Sequence, residues 1–288
     1  MKHVSFSQFS VFTNCQLQWK LLYIDRHKVK DVNIHSLFGS ALNDTLQTYL
    51  IDFYEKSEKT ANELNLNEIL LNKMSEIFNQ YSEYGDFTSK DQMMEFYKDG
   101  IKILEWFKKK RSDYFLKKGY EFLGCEIEIS IPIKSNINFI GRIDCAVKHI
   151  DSNTYVLYDF KKSYRGWKEN AKKDLMKRAQ LQLYKKFYAE QNNIDLDKIK
   201  VEFLIFKQKI FKSQDYEVKR VQRFVPPSGD RIINKVGKEL IDFVDNVFDS
   251  NGNYNLNFDY KANPSKRNCF YCPFKNKKDL CSVGMNEI

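Results

Sequence analysis

Phe6, Phe9, Phe12, Trp19 and Tyr23 fall mostly on one face at helical spacing, which predicts an amphipathic helix over residues 5–24, capped by Ser5 or Ser7. Cys15 lies inside that helix. A second helix is expected over 35–57, beginning near HSLFGSALNDTLQTYL, and a largely helical, charged region continues to about residue 118. Its aromatic and Met positions read as core-facing stripes. The period then changes from helical to alternating. EFLGCEIEISI (121–131) alternates as a strand does, Pro132 and Asn136 mark a turn, and further strands are predicted at 138–149 and 154–161. A helix over roughly 172–191 follows, then strands at about 200–208 and 216–225. Pro226-Pro227-Ser228 ends the last strand and opens a helix of about 20 residues. The tail from residue 250 is rich in Asn and Lys. The order amounts to a β-β-β-α-β-β centre with helices from both flanks, an α/β fold with a mixed sheet between helices. We expect a single domain: a helical region at 1–118, an α/β core at 119–225, and a helix with a cysteine-bearing tail at 226–288.

Composition narrows the class of protein. With 42% hydrophobic and 15% aromatic residues in 288, the chain can bury a substantial core, and only 11 Gly and 5 Pro leave little room for long flexible linkers. Lys and Arg exceed Asp and Glu by 47 − 38 = 9. A field of that sign favours a polyanionic partner, nucleic acid or an anionic membrane surface, although a Lys- and Asn-rich solvated surface produces the same total. No segment approaches the roughly 20 apolar residues of a membrane span. MKHVSFSQFSVF has neither an apolar h-region nor a small-residue cleavage site, so a cytoplasmic location is expected. In a reducing compartment, six cysteines point to metal binding in preference to disulfides.

Acidic residues inside apolar strands are costly unless something pairs with them. GRIDCAV and VLYDFKKS each carry one, Asp144 and Asp159. Asp159 and Lys161 stand at i and i+2 and so share a strand face. If the two strands pair as a hairpin, Asp144 approaches Asp159, and two carboxylates make an oxygen-lined site suited to Mg²⁺ or Mn²⁺. Lys161 beside them can orient a water, favour its deprotonation, or neutralise charge on a scissile phosphate. The alternative is a pair of strand-end carboxylates and a solvated lysine. On the helix that follows, Gln180 and Tyr184 of QLQLY lie four residues apart on one face. They either point back over this site or belong to an ordinary core-facing helix.

Cys269, Cys272 and Cys281 form C-x2-C-x8-C, a knuckle-like group short of one ligand, and Cys15 is the candidate for the fourth. Four thiolates suit zinc or an iron–sulfur cluster. Cys125 and Cys145 sit in strands and read as buried thiols. Basic stretches at Lys108–Arg111, Lys161–Lys162 with Arg165, Lys172–Arg178 and Lys275–Lys278 are candidate phosphate contacts, and Tyr164 and Trp167 are candidate stacking platforms for a single strand.

The ordered set Gly141–Asp144, Asp159–Lys161 and Gln180–Tyr184 resembles the G-x-x-D, D-x-K and Q-L-x-x-Y motifs of the RecB-like branch of the PD-(D/E)XK nucleases. The N-terminal helix with its cysteine and the C-x2-C-P-F group are similar to the iron–sulfur members of that branch, which include AddB-type nuclease domains and CRISPR-associated exonucleases. The resemblance runs from Ser5 to Cys281. It implies a restriction-endonuclease-like core and metal-dependent cleavage of DNA phosphodiester bonds, often exonucleolytic, in recombination, repair or phage DNA metabolism. Asp144 and Asp159 would bind Mg²⁺ or Mn²⁺, Lys161 would be the catalytic lysine, and Gln180 and Tyr184 the supporting helix motif. The resemblance further implies that Cys15, Cys269, Cys272 and Cys281 hold a 4Fe–4S cluster, zinc being the alternative, as a staple for the two chain ends. The substrate would be DNA, single-stranded or at duplex ends, with a helicase or recombination partner and no membrane. One position departs from the pattern. Many relatives carry a metal-binding histidine in a G-x-x-x-H motif, and here Gly39 is followed by Asn43. An amide oxygen is a weaker ligand for a hard cation than a carboxylate. Glu128, or Glu126 on the same strand, is expected to add a carboxylate to the metal, and His35, two turns before Asn43, is a further candidate. Asn43 also keeps a second reading open: a catalytically weak or inactive nuclease-derived subunit that binds DNA without cutting it.

Overall fold

The computed structural model describes residues 2–29, 32–82, 87–210 and 218–283. Strand β1 (Lys2–Ser5) and helices α1 (Phe6–Asn14) and α2 (Gln16–Tyr23) come first. Helices α3 (Ile34–Ile51), α4 (Glu58–Glu63), α5 (Leu66–Ser82) and α6 (Lys90–Lys110) follow, with a π-helical turn at Asp52–Lys56 after α3. Then come β2 (Tyr120–Lys134), β3 (Ile137–His149), β4 (Thr154–Ser163), α7 (Glu169–Lys173), α8 (Leu175–Asn192), β5 (Ile199–Lys207) and β6 (Val221–Phe224). Helices α9 (Asp230–Val247) and α10 (Lys266–Phe270) complete the order.

Two expected helices are broken, each for a visible reason. The one over 5–24 stops at Cys15, whose backbone is extended (φ −159°, ψ 111°). Cys15 therefore sits between two helices and not within one. The Asn14 carbonyl accepts from Asn263 Nδ2 at 3.0 Å and Asn268 Nδ2 at 2.9 Å, and the Leu17 N–H donates to the Lys261 carbonyl at 3.1 Å. Tail residues thus satisfy the backbone groups that the break exposes. The helix over 172–191 divides at Asp174, whose carboxylate accepts from the N–H groups of Met176 and Lys177 and caps α8. Strand β1 was not expected. Of its four residues only Val4 is buried, so there is no alternation to read. The last expected strand is confined to β6; its residues 216–217 lie outside the described residues.

The chain forms two compact units. The smaller comprises Met1–Asp31, Glu128–Gly141 and Asp230–Ile288. There β1 pairs in parallel with the start of β3, Lys2 opposite Ile137 and Ser5 opposite Ile140. Its centre is Trp19, which is fully buried. Tyr260 stacks on that indole (centroids 5.9 Å apart, planes 14°), and Phe12, Phe243 and Tyr254 meet it edge-on.

The larger unit comprises Val32–Ile127 and Arg142–Gly229. There β3 and β4 run antiparallel from Cys145 opposite Tyr158 to His149 opposite Thr154. Strands β4 and β5 run parallel from Tyr155 opposite Ile199 to Ser163 opposite Lys207, and β5 and β6 run antiparallel. A parallel pair requires a long crossover, which α7 and α8 supply. The sheet is mixed and helix-flanked, as the hydrophobic pattern implied. One face buries Tyr158, Phe160, Leu204 and Phe206 with Phe38, Leu104 and Phe107 from α3 and α6. Gly100 lets α6 close on α3 and α5, since a Cβ there would overlap a Leu70 methyl and press on the Phe38 ring. Asp159 and Lys161, at alternate positions to Tyr158 and Phe160, belong to the other face. Among the described residues no helix is long and apolar enough to cross a membrane.

Candidate active site

The β3–β4 ladder ends at Cys145 and Tyr158, and Asp144 and Asp159 come next on their strands. Asp144 Oδ2 accepts the N–H of Phe160, so this carboxylate is tied to the opposite strand. Asp159 is 3% exposed. Its Oδ1 lies 2.6 Å from Lys161 Nζ, off the axis of a good hydrogen bond, so that buried oxygen has an ionic neighbour but no aligned donor. Burial raises the pKa of Asp144, with the charge of Asp159 adding to it, to about 8, against the pull of Lys161 and the Phe160 N–H. Asp159 is also raised by burial, again against Lys161. For Lys161, burial pushes downward, but Asp159 and Asp144 outweigh it and the net shift is upward. One ammonium thus stands against two desolvated carboxylates, and the site is short of positive charge.

Two further groups join from α3 and β2. Gln47, 5% exposed, donates from Nε2 to Glu126 Oε1 at 2.6 Å and to the Asp144 carbonyl at 3.3 Å. Glu126 has a left-handed backbone (φ 52°), uncommon for a residue with a Cβ, and the simple alternation of β2 fails there. Arg142 Nη1 stands 3.9 Å from its other oxygen. Both glutamates considered on β2 are exposed; Gln47 ties Glu126 to the Asp144 backbone, and Glu128 belongs to the smaller unit. Gln47 escaped the sequence reading. Its only signal was a polar side chain one turn beyond Asn43 amid buried α3 positions.

Asn43 is half-buried on α3, and among the described residues its side chain makes no hydrogen bond to either aspartate. His35 packs edge-on against Phe96 at 5.2 Å, and its carbonyl accepts from Lys162, which points to the opposite side of β4 from Lys161. Gln180 does approach Tyr184, donating to its hydroxyl at 3.3 Å. Tyr184 is 6% exposed, and the Arg142 backbone also hydrogen-bonds its phenol oxygen. Its ring is a packing element; its hydroxyl is what Asp159 and Lys161 sense. Burial raises this phenol's pKa, and the Gln180 hydrogen bond opposes the rise.

The residues fit a hard divalent cation. Asp159 offers a buried oxygen without an aligned donor, Asp144 a second carboxylate, and the donors are all oxygen. Among the described residues no three His, Cys, Asp or Glu side chains converge as metal ligands.

No described cysteine is in a disulfide. Cys272 donates its N–H to the Cys269 carbonyl at 3.1 Å in the knuckle turn, and Cys281 follows a second turn closed on Lys277. Burial raises the Cys272 thiol, with Cys15, Cys269 and Cys281 adding to the rise, so the four sulfurs are electrostatic neighbours. They do not form a ligating cluster. Cys145 is fully buried and hydrogen-bonded with Cys125.

A family model described as the PD-(D/E)XK nuclease superfamily matches residues 3–277. No curated protein matches the chain.

Proposed function

Because the chain belongs to the PD-(D/E)XK nuclease superfamily, we propose that it is a Mg²⁺- or Mn²⁺-dependent deoxyribonuclease that removes nucleotides from DNA ends. The observation that carries this reading is the buried Asp159–Lys161 pair beside Asp144 on the neighbouring strand. Asp144 and Asp159 hold the divalent ion, which when bound supplies positive charge to a phosphodiester and acidifies water. Asp159 and Asp144 raise the pKa of Lys161 against burial, and we assign its ammonium to neutralising charge on the scissile phosphate. The Arg142 backbone hydrogen bond to the Tyr184 hydroxyl, which also accepts from Gln180, ties α8 to β3, and Gln47 holds Glu126 beside β3. The family match spans both units, and we read them as one nuclease domain.

Cys15, Cys269, Cys272 and Cys281 are proposed to carry a 4Fe–4S cluster with a structural role, zinc being the alternative. We place the protein in the cytoplasm, in recombination, repair or phage DNA metabolism, with strand separation supplied by a helicase partner. The deciding assay is release of nucleotides from linear DNA by the full-length protein with Mg²⁺ or Mn²⁺. Asp159→Ala should lower that rate by about 10³-fold or more while the circular dichroism spectrum is unchanged. Wild-type protein that binds DNA but releases nothing with either metal would sink the nuclease reading. It would select the second one, a non-cutting DNA-binding subunit, which Asn43 favours and the intact Asp144, Asp159, Lys161 and Gln180 set opposes.

A further inference from the structure

Strand β4 carries Lys161 and runs directly into a loop, Ser163–Trp167, whose backbone is held by side chains. Ser163 Oγ accepts the Gly166 N–H at 3.2 Å and donates to the Gly166 carbonyl at 3.0 Å. Gln222 on β6 grips the next residue twice, accepting the Trp167 N–H at 2.7 Å and donating to its carbonyl at 3.0 Å. Gly166 has φ 93°, and a Cβ there would lie 2.8 Å from Gln222 Oε1 and 3.0 Å from Lys207 Cε, so only glycine fits. Trp167 is consumed by this architecture. Its ring packs on Phe203 and Phe224 at 5.0 and 6.0 Å and carries Lys177 at 5.1 Å. Of the two aromatic candidates only Tyr164 presents itself, 55% exposed, with the Arg165 guanidinium 5.4 Å from its ring.

An aromatic ring left in water on a braced loop, three residues past Lys161, needs an explanation. Lys207 is paired with Ser163 across β4–β5, and Ile205 with Lys161, so Lys207 shares the face of the catalytic lysine. Burial lowers the pKa of Lys207, and no carboxylate pairs with it among the described residues. From Arg165 to Arg178 the chain carries six cations (Arg165, Lys168, Lys172, Lys173, Lys177, Arg178) against two acids, Glu169 and Asp174.

We propose that this loop is a port for a single-stranded DNA end: an unpaired base stacks on Tyr164 and a neighbouring phosphate meets Lys207. Stacking tolerates any base and requires that the base be unpaired, so the port selects single strands over blunt duplex without reading sequence. The braced loop gives up little freedom when the base arrives. The proposal rests on the nuclease reading for its place beside Lys161, but its test does not. Binding of a fluorescein-labelled oligo(dT) and of a blunt hairpin duplex is measured by anisotropy in EDTA, where no cleavage occurs.

Tyr164→Ala should weaken single-strand binding by about 5- to 150-fold, the span of one base stack, and duplex binding by less than about twofold. Tyr164→Trp, which keeps a stacking face, should restore single-strand affinity. Lys207→Ala should flatten the salt dependence on the single strand. Unchanged single-strand affinity in Tyr164→Ala, or an equal loss on both substrates, overturns the port. Nucleotide release by wild type with Mg²⁺, run in parallel, judges the nuclease reading separately.

Discussion

Asp144 and Asp159 carry more charge than their surroundings stabilise, and that imbalance has a pH signature. The folded pKa of Asp144 lies near 8, above its ordinary 3.8, because burial and Asp159 disfavour its ionised form. A raised carboxylate stabilises the fold when protonated. Its contribution is complete below about 3.8 and is lost as pH rises through about 8. Asp144→Asn, which has no proton to lose, lacks that dependence. In EDTA, urea denaturation should show wild type losing stability relative to Asp144→Asn between about pH 5 and pH 9, and Mn²⁺ should remove the difference in slope. A constant difference across that range would mean that Asp144 is ionised throughout. The aspartates themselves were legible in the sequence, because an acid within an apolar strand asks for a partner. Gln47 was not, because a buried glutamine on an amphipathic helix looks like any other interruption until its Nε2 is seen on Glu126. Glu126 was offered equally with Glu128, and the Gln47 hydrogen bond and left-handed backbone at Glu126 are what distinguish it.

Strands and helices with long patterns were legible to within a few residues, from β2 through β5. What escaped were features set by distant chain. The helix expected over 5–24 has unbroken apolar spacing, yet it opens at Cys15 because Asn263, Asn268 and Lys261, about 250 residues on, satisfy the freed backbone groups. That opening presents Cys15 in extended backbone facing a tail that brings the other three sulfurs. The Cys15 N–H still donates to the Val11 carbonyl at 2.8 Å, so what the break changes is the direction of the chain and of the side chain, which a helix interior would have fixed against the preceding turn. If the four thiols form the proposed staple, the break belongs to it, and the staple should fail as a unit. Protein purified anaerobically should be brown, with the broad visible absorption of an iron–sulfur cluster, and Cys15→Ala should lose that absorption and expose the tail to proteolysis. A colourless wild type holding one zinc per chain would assign the four thiolates to zinc. A brown Cys15→Ala with undiminished absorption would remove Cys15 from the ligand set.

Net charge is a property of the whole chain, and +9 by itself fits either a nucleic-acid surface or a generally solvated one. The two differ in where the charge acts. If the cations between Arg165 and Arg178 and at Lys207 track a DNA backbone, each phosphate contact releases counterions from the strand, and affinity falls as a power of salt concentration. Five such contacts on single-stranded DNA give a log–log slope of about −3.5, or a loss of about 10²-fold between 50 and 200 mM salt. Removing one participating cation should reduce the slope by about 0.7, so Lys173→Ala, at an exposed position on α7, should bring it to about −2.8. Lys238, exposed on α9 in the smaller unit, contributes the same formal charge to the total. Lys238→Ala should leave the slope at its wild-type value if binding is local. Equal changes from the two substitutions would show that DNA responds to the summed field of the molecule, and would return the excess of lysine to the role of a solvated surface.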